Sequence, residues 1–203
     1  MSAIFPSSHQ QKIRYSFVLQ LVLCLVLVSI PGHAVIADRY DERRAHVGMK
    51  LFKMMLLADT DRHKKRDDDG ALGIALLYIT HSSAVRRLEK TADEQLASIT
   101  NPEVHIRSVS LEDLLAGDTP PTAGIFITQK LDGDELKALI EFSIEHQVVL
   151  FSPFEGDVEA GVLGGISVEA RVRPALNMDT LMRAQINIKP FFVKVAKQYA
   201  VAE

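Results

Sequence analysis

From residue 72 onward the chain alternates strand-length apolar runs with amphipathic segments of helical period. No other feature constrains the fold as much. Residues 72–79 form a continuous apolar run of strand length. Residues 82–99 follow as a helix behind Ser82 or Ser83 as N-cap, with Val85, Leu88, Ala92 and Leu96 on one face. Residues 104–109 alternate, which puts Val104, Ile106 and Ser108 on one side of a second strand. A proline-containing turn (117–122), a short strand (123–128), a helix (134–146) and another buried strand (148–152) complete the pattern. Strand-helix-strand order of this kind implies parallel pairing through right-handed crossovers, with helices on both faces of the sheet.

The character changes after residue 152. Residues 163–169 and 172–176 read as an antiparallel hairpin, 179–184 as a short helix, and 191–199 as a second helix with Pro190 at its first turn. The expected fold is a single α/β domain with a mostly parallel central sheet and an antiparallel C-terminal hairpin.

Ahead of this block, residues 37–58 have a helical pattern. Val47, Leu51, Met54, Met55 and Ala58 make one stripe, and Phe52, Leu56 and Leu57 add apolar surface on other faces. A helix so broadly apolar is covered either by its own sheet or by a second copy of the chain in a homodimer. Residues 59–70, DTDRHKKRDDDG, form a charged loop. An EF-hand ending at Gly70 fails because a lysine (Lys65) stands where a ligand is needed and Leu76 where the final glutamate belongs. The basic run from Arg62 to Arg66 reads as a solvated loop face.

The first 34 residues read as an export signal. Lys12 and Arg14 precede an apolar run at 17–30, which is followed by Pro31, Gly32, His33 and Ala34 as a cleavage site. The run falls short of the roughly 20 apolar residues that a bilayer span needs. Removal after Ala34 leaves residues 35–203 as one domain and takes away Cys24, the single cysteine. Disulfides, thiol nucleophiles and cysteine-ligated metals are then excluded together. The leader carries two basic and no acidic residues of the chain's 23 and 26, so the remainder is acidic and ill suited to nucleic acid.

Candidate chemistry is sparse. In an open parallel sheet, ligands bind outside the carboxyl ends of the strands. Here these ends are turns containing His81 and Ser83, Gln129 and Lys130, and Ser152 and Glu155. His81 and Ser83 suggest a base and a nucleophile without an acidic orienter, and they read more simply as helix-capping residues. Gly161, Gly164 and Gly165 have neither dinucleotide-fold nor Walker spacing, so they read as a backbone turn. Arg171 and Arg173 stand two apart on a strand and so share a face. Between them belongs a counter-charge, either an internal carboxylate from Glu155, Asp157 or Glu169, or an incoming carboxylate or phosphate. Asn177 ends the hairpin as a turn residue that bonds backbone. The five histidines beyond the leader have no metal-ligand spacing, and nothing in the sequence asks for a cofactor.

The block from 148 to 199 resembles the C-terminal half of the YfiR-like family of periplasmic proteins. The resemblance rests on Gly164-Gly165, the strand 166–168, Arg171-Val172, Asn177, and the segment from Phe191 to Ala196. It implies an α/β fold, dimerisation and a periplasmic, non-enzymatic regulator that holds off an inner-membrane diguanylate cyclase by contact with its sensor domain. The partner surface would include Phe191 and Phe192. The alternative is a periplasmic receptor for a small anion or solute gripped by Arg171 and Arg173, with Glu155 and Asn177 nearby. A hydrolase built on His81 and Ser83 is the third reading.

Overall fold

The computed structural model describes residues 32–99 and 103–200, with side chains from residue 43. The leader up to residue 31, with Lys12, Arg14 and Cys24, lies outside the described residues, and the expected cleavage point after Ala34 falls at the start of the first described helix. Residues Tyr40–Glu203 form one compact unit. Among the described residues no helix is long and apolar enough to cross a membrane.

Helix α1 (Gly32–Ala58) leads by a 3-10 turn (Arg62–Lys64) into β1 (Leu72–Tyr78), α2 (Ser83–Leu96) and β2 (Val104–Ser110). Then come α3 (Leu111–Ala116), β3 (Gly124–Ile127), α4 (Gly133–Glu145) and β4 (Val149–Ser152). The chain closes with β5 (Gly164–Val168), β6 (Val172–Asn177), α5 (Met178–Arg183), α6 (Pro190–Val195) and β7 (Lys197–Tyr199). All seven strands share one sheet in the order β2-β1-β3-β4-β5-β6-β7, parallel throughout except for the β5–β6 hairpin. This is the mixed α/β fold that the alternation predicts. Crossovers from β1 run first outward to β2 and then back past β1 to β3 and β4. With right-handed connections α2 and α4 therefore cover opposite faces.

Helix α1 shares the α2 face, since the Lys53 ammonium donates to Gln95 O at 3.0 Å. Its buried stripe is Gly48, Met49, Phe52, Met55 and Leu56, while Val47 and Met54 are exposed. The expected stripe is therefore turned by about one residue, the 100° step of an α-helix. The cause is Gly48, where a Cβ would lie 3.1 Å from Pro153 Cβ and 3.3 Å from Phe151 Cε1. The missing side chain at Gly48 lets the helix lie this close to Phe151 and Pro153. Phe52 then meets Phe126 and Phe151 at ring-centroid distances of 5.6 and 5.7 Å. Core packing on its own sheet thus accounts for this face.

The expected C-terminal helix over 191–199 is corrected. The last helix stops at Val195, and Lys197–Tyr199 becomes an edge strand parallel to β6, with Ala175 opposite Lys197 and Asn177 opposite Tyr199. Helix α3 was not anticipated, although Ser110 caps it by accepting from Asp113 N and Gly117 ends it in the left-handed conformation at φ 78°.

Candidate functional site

The strand order reverses between β1 and β3, so the topological switch point lies at their carboxyl ends. There the Gln129 carboxamide stitches the two strands together. Its Oε1 accepts from Ile79 N at 2.9 Å and Thr80 N at 3.0 Å, and its Nε2 donates to Thr80 O at 2.6 Å. The Thr128 hydroxyl donates to Leu77 O at 2.6 Å. These bonds tie β1 to β3 at the switch point.

Next along the rim, Ser152 and Asp157 are buried after β4. Ser152 Oγ donates to Asp157 Oδ2 at 2.5 Å and accepts from Phe154 N at 3.1 Å. Lys130 pairs with the other Asp157 oxygen and donates to Glu155 O at 3.0 Å. Glu155 thus contributes its carbonyl, and its carboxylate faces solvent.

Two long helices open on this rim, and their first turns differ in charge. At α4, Asp132 and Glu135 form a capping box, and Asp134 and Glu135 stand in the first turn, so acid already meets the positive end of the dipole. At α2, Ser82 caps Val85 N at 3.4 Å, the first turn has no acid, and Arg86 and Arg87 follow. An anion is favoured at the second end and not at the first. His81, next to it, contacts Glu89 at 3.5 Å and sets its ring edge-on to Tyr78. Ser83 Oγ accepts from Arg87 at 3.4 Å, and among the described residues no hydrogen bond joins it to His81, whose acidic neighbour is Glu89.

The two arginines do not share a strand. Arg173 lies on β6, whereas Arg171 sits in the exposed hairpin turn before it. The counter-charge of Arg173 is Glu169, at 2.8 Å, and the second Glu169 oxygen takes Lys197 at 2.8 Å. Lys197 first, then Arg173, hold the Glu169 carboxyl below its usual range, and Glu169, then Tyr199, raise Lys197. Glu169 titrates lower in the folded chain than in the unfolded one. The cluster's stabilisation is therefore complete above the ordinary glutamate range and fades as pH falls through the lowered value. In acid titrations followed by circular dichroism, Glu169→Gln should lower the neutral plateau slightly and leave the acid end unchanged, so that the acid limb is flatter than in wild type.

Across the same hairpin, Ser167 stands opposite Arg173, and Ser167 Oγ and Arg173 Nε are both buried without a hydrogen-bond partner. A buried hydroxyl left unpaired costs about 1–3 kcal/mol, so Ser167→Ala should raise stability by about 1 kcal/mol. Urea unfolding measures this, and a loss of stability would mean that a bridging group satisfies the hydroxyl.

Other expected site residues serve the fold. Asn177 is buried, accepts from Thr180 N at 2.9 Å to cap α5, and donates to Val158 O at 2.8 Å. It bonds backbone, as the turn reading has it, and has no exposed face for a ligand. Phe192 is fully buried, so of the two phenylalanines only Phe191 is surface, at 58% exposed. Gly161 takes φ 120°, and a Cβ on Gly165 would lie 2.9 Å from Ser152 O. That glycine group is backbone geometry and not an anion cradle. Register places the hairpin tip relative to the rim: β4 ends at Ser152, opposite Gly165, and β5 continues for three more residues in the same direction. Arg171 therefore projects past the rim by roughly 10 Å of extended chain.

No protein-family model and no curated protein matches the chain. Among solved structures it is similar to the ABC domain in complex with L-Trp from Streptococcus pneumonia, at 11% identity and a TM-score of 0.51, over 76% of this chain and 60% of that one. It is also similar to CD0873, a substrate binding protein with adhesive properties from Clostridium difficile, at 13% identity and a TM-score of 0.49, over 65% of this chain and 55% of that one. A conserved domain protein from Vibrio cholerae gives 10% identity and a TM-score of 0.46, over 66% and 57% of the two chains. The chain thus spans 60% of the length of the first of these, and at such identities the likeness is one of fold.

Proposed function

We propose that the protein is a non-enzymatic, exported binding protein that takes a small anionic solute at the carboxyl rim of its sheet. The observation that carries this reading is the contrast between the two helix ends on the rim. One carries acids in its own first turn, and the other carries none there and has Arg86 beside it. Arg171 at the overhanging hairpin tip has no side-chain hydrogen bond or ion pair among the described residues and adds a second cation on the same side. The fold shared with a domain that holds an amino acid supports the reading.

A thermal-shift screen of small carboxylates and phosphates tests it. A bound anion at 100 times its dissociation constant adds about 2.7 kcal/mol of apparent stability. Arg86→Ala should remove that shift, and Arg171→Ala should weaken it. A screen in which no carboxylate or phosphate moves the midpoint would overturn the proposal.

The second reading is the one that the YfiR-like resemblance implies: a periplasmic regulator that contacts an inner-membrane signalling protein. It is favoured by the aromatic and aliphatic surface of α6, where Phe191 is 58% and Val195 50% exposed. Capture from solubilised inner membranes with wild type and Phe191→Ser separates the two readings. Retention of one membrane protein by the first and not by the second would favour the regulator, and equal retention would count against it.

A further inference from the structure

The end of the sheet away from the rim carries a cleft of about 690 Å³, lined by Arg66, Thr122, His146, Gln147, Gln185 and Asn187 among others. The volume lies in the small-ligand range, roughly 300–1,000 Å³. Its walls are the loops that lead into β1 and β3 and the C-terminal ends of α4 and α5.

Both helices end in the same unusual way. Val148 N bonds Ser143 O, Ile186 N bonds Leu181 O, and the residue before each is in the left-handed conformation: Gln147 at φ 56° and Gln185 at φ 53°. This six-to-one closure normally uses glycine, because a Cβ is crowded there. They are the two non-glycine residues with positive φ among the described residues, and both line this cleft. Their carboxamides also meet, Gln147 Nε2 donating to Gln185 Oε1 at 3.4 Å. Glycine would end either helix with less crowding, so what distinguishes glutamine at both places is its carboxamide. Strain concentrated on two facing walls of a cavity is characteristic of binding sites.

The remaining chemistry sets the ligand class. The charged loop is largely neutralised within itself, Lys64 on Asp61 at 2.6 Å and Lys65 on Asp59 at 2.7 Å, so the wall is not a strong anion trap. The Gln147–Gln185 contact leaves the carbonyl of one and the amide N–H groups of the other available. His146 must donate from Nδ1 to Phe142 O, at 2.9 Å, because a carbonyl only accepts; in the neutral ring Nε2 is then an acceptor. Its ring stacks on Phe142 at 4.2 Å, and both residues line the cleft. Paired donors and acceptors beside a stacked ring pair match hydroxyl groups, which both donate and accept, on an apolar ring face.

We infer that this cleft is a second binding site, independent of the carboxyl rim, for a small neutral saccharide held by the Gln147 and Gln185 carboxamides. The full chain is titrated calorimetrically with a panel of neutral mono- and disaccharides, with glucuronate and inorganic phosphate as charged controls. At least one neutral saccharide should bind saturably. Gln147→Gly and Gln185→Gly relieve the left-handed crowding, so each should unfold at the same or higher urea concentration while binding weakens roughly tenfold or more. Arg86→Ala should leave this binding intact, which separates the site from the rim. The inference is overturned if no neutral saccharide binds, if only a charged control binds, or if the glycine variants bind as wild type does.

Discussion

Replacing Phe52 by alanine is expected to lower the free energy of unfolding by about 4 kcal/mol, within the range for phenylalanine truncated in a core. The ring is fully buried and touches the rings of Phe126 and Phe151, which themselves stack at 5.7 Å. The neighbouring sheet position is Gly124, where a Cβ would lie 2.8 Å from Phe52 Cζ. No side chain there can move in to refill the space. The cavity stays open, and the loss sits toward the upper part of the range. Against a total stability of about 5–15 kcal/mol for a domain of this kind, the variant should be near its folding threshold at 37 °C. Urea unfolding at 25 °C gives the figure, and Phe52→Leu should cost clearly less. A loss below about 1 kcal/mol would mean that this face of α1 is not held by the sheet but serves a contact between copies.

That outcome also bears on how the fold was legible. Strand-length runs separated by helical periods were enough to place the parallel sheet, because β1, β3 and β4 are buried along nearly their whole length and read as continuous apolar segments. The orientation of α1 was not legible from apolar periodicity, since Val47, Leu51 and Met54 form as good a stripe as Met49, Phe52 and Leu56. Gly48 was the missing signal, and it acts by allowing close approach rather than by hydrophobicity. Strand β7 had no signal of its own. Lys197, Gln198 and Tyr199 continue the preceding helical period, and their strand state comes from pairing with β6, a long-range contact.

The site was legible where charge had to be balanced and illegible where a carboxamide does the work. Two arginines near a glutamate asked for a counter-ion, and Glu169 supplies it for Arg173. Arg171 falls in the turn and not on the strand, because the hairpin pairing ends at Val168–Val172. Strand order placed Gln129 at the rim, but Gln147 and Gln185 gave no warning, because glutamine is ordinary on any polar surface. A left-handed helix end announces itself as glycine, and these two ends lack it. Phe191 and Phe192 were indistinguishable in sequence. Only the turn of α6 sends one inward and the other to solvent.

Lys130→Met is expected to cost about 3 kcal/mol, more than Asp157→Asn, although the lysine is much the more exposed partner. The Asp157 side chain is 2% exposed and that of Lys130 is 53% exposed. Without Asp157, the ammonium turns to water and leaves only Ser152 Oγ to find another partner. Without Lys130, a buried carboxylate keeps a single hydroxyl donor, Ser152 Oγ, among its side-chain partners. An uncompensated buried charge is the expensive case, and a released surface charge is not. Lys130 also ties Glu155 O, so its loss frees the turn that continues the rim beyond β4. The combination Lys130→Met with Asp157→Leu should recover much of the loss, because it removes the stranded charge together with its partner. Equilibrium unfolding of Lys130→Met, Asp157→Leu and the double variant measures the coupling, with Asp157→Asn as the comparison for loss of the exposed partner. If Lys130→Met costs no more than Asp157→Asn, the pair is held at the surface and the rim owes its shape to Gln129 and the backbone instead.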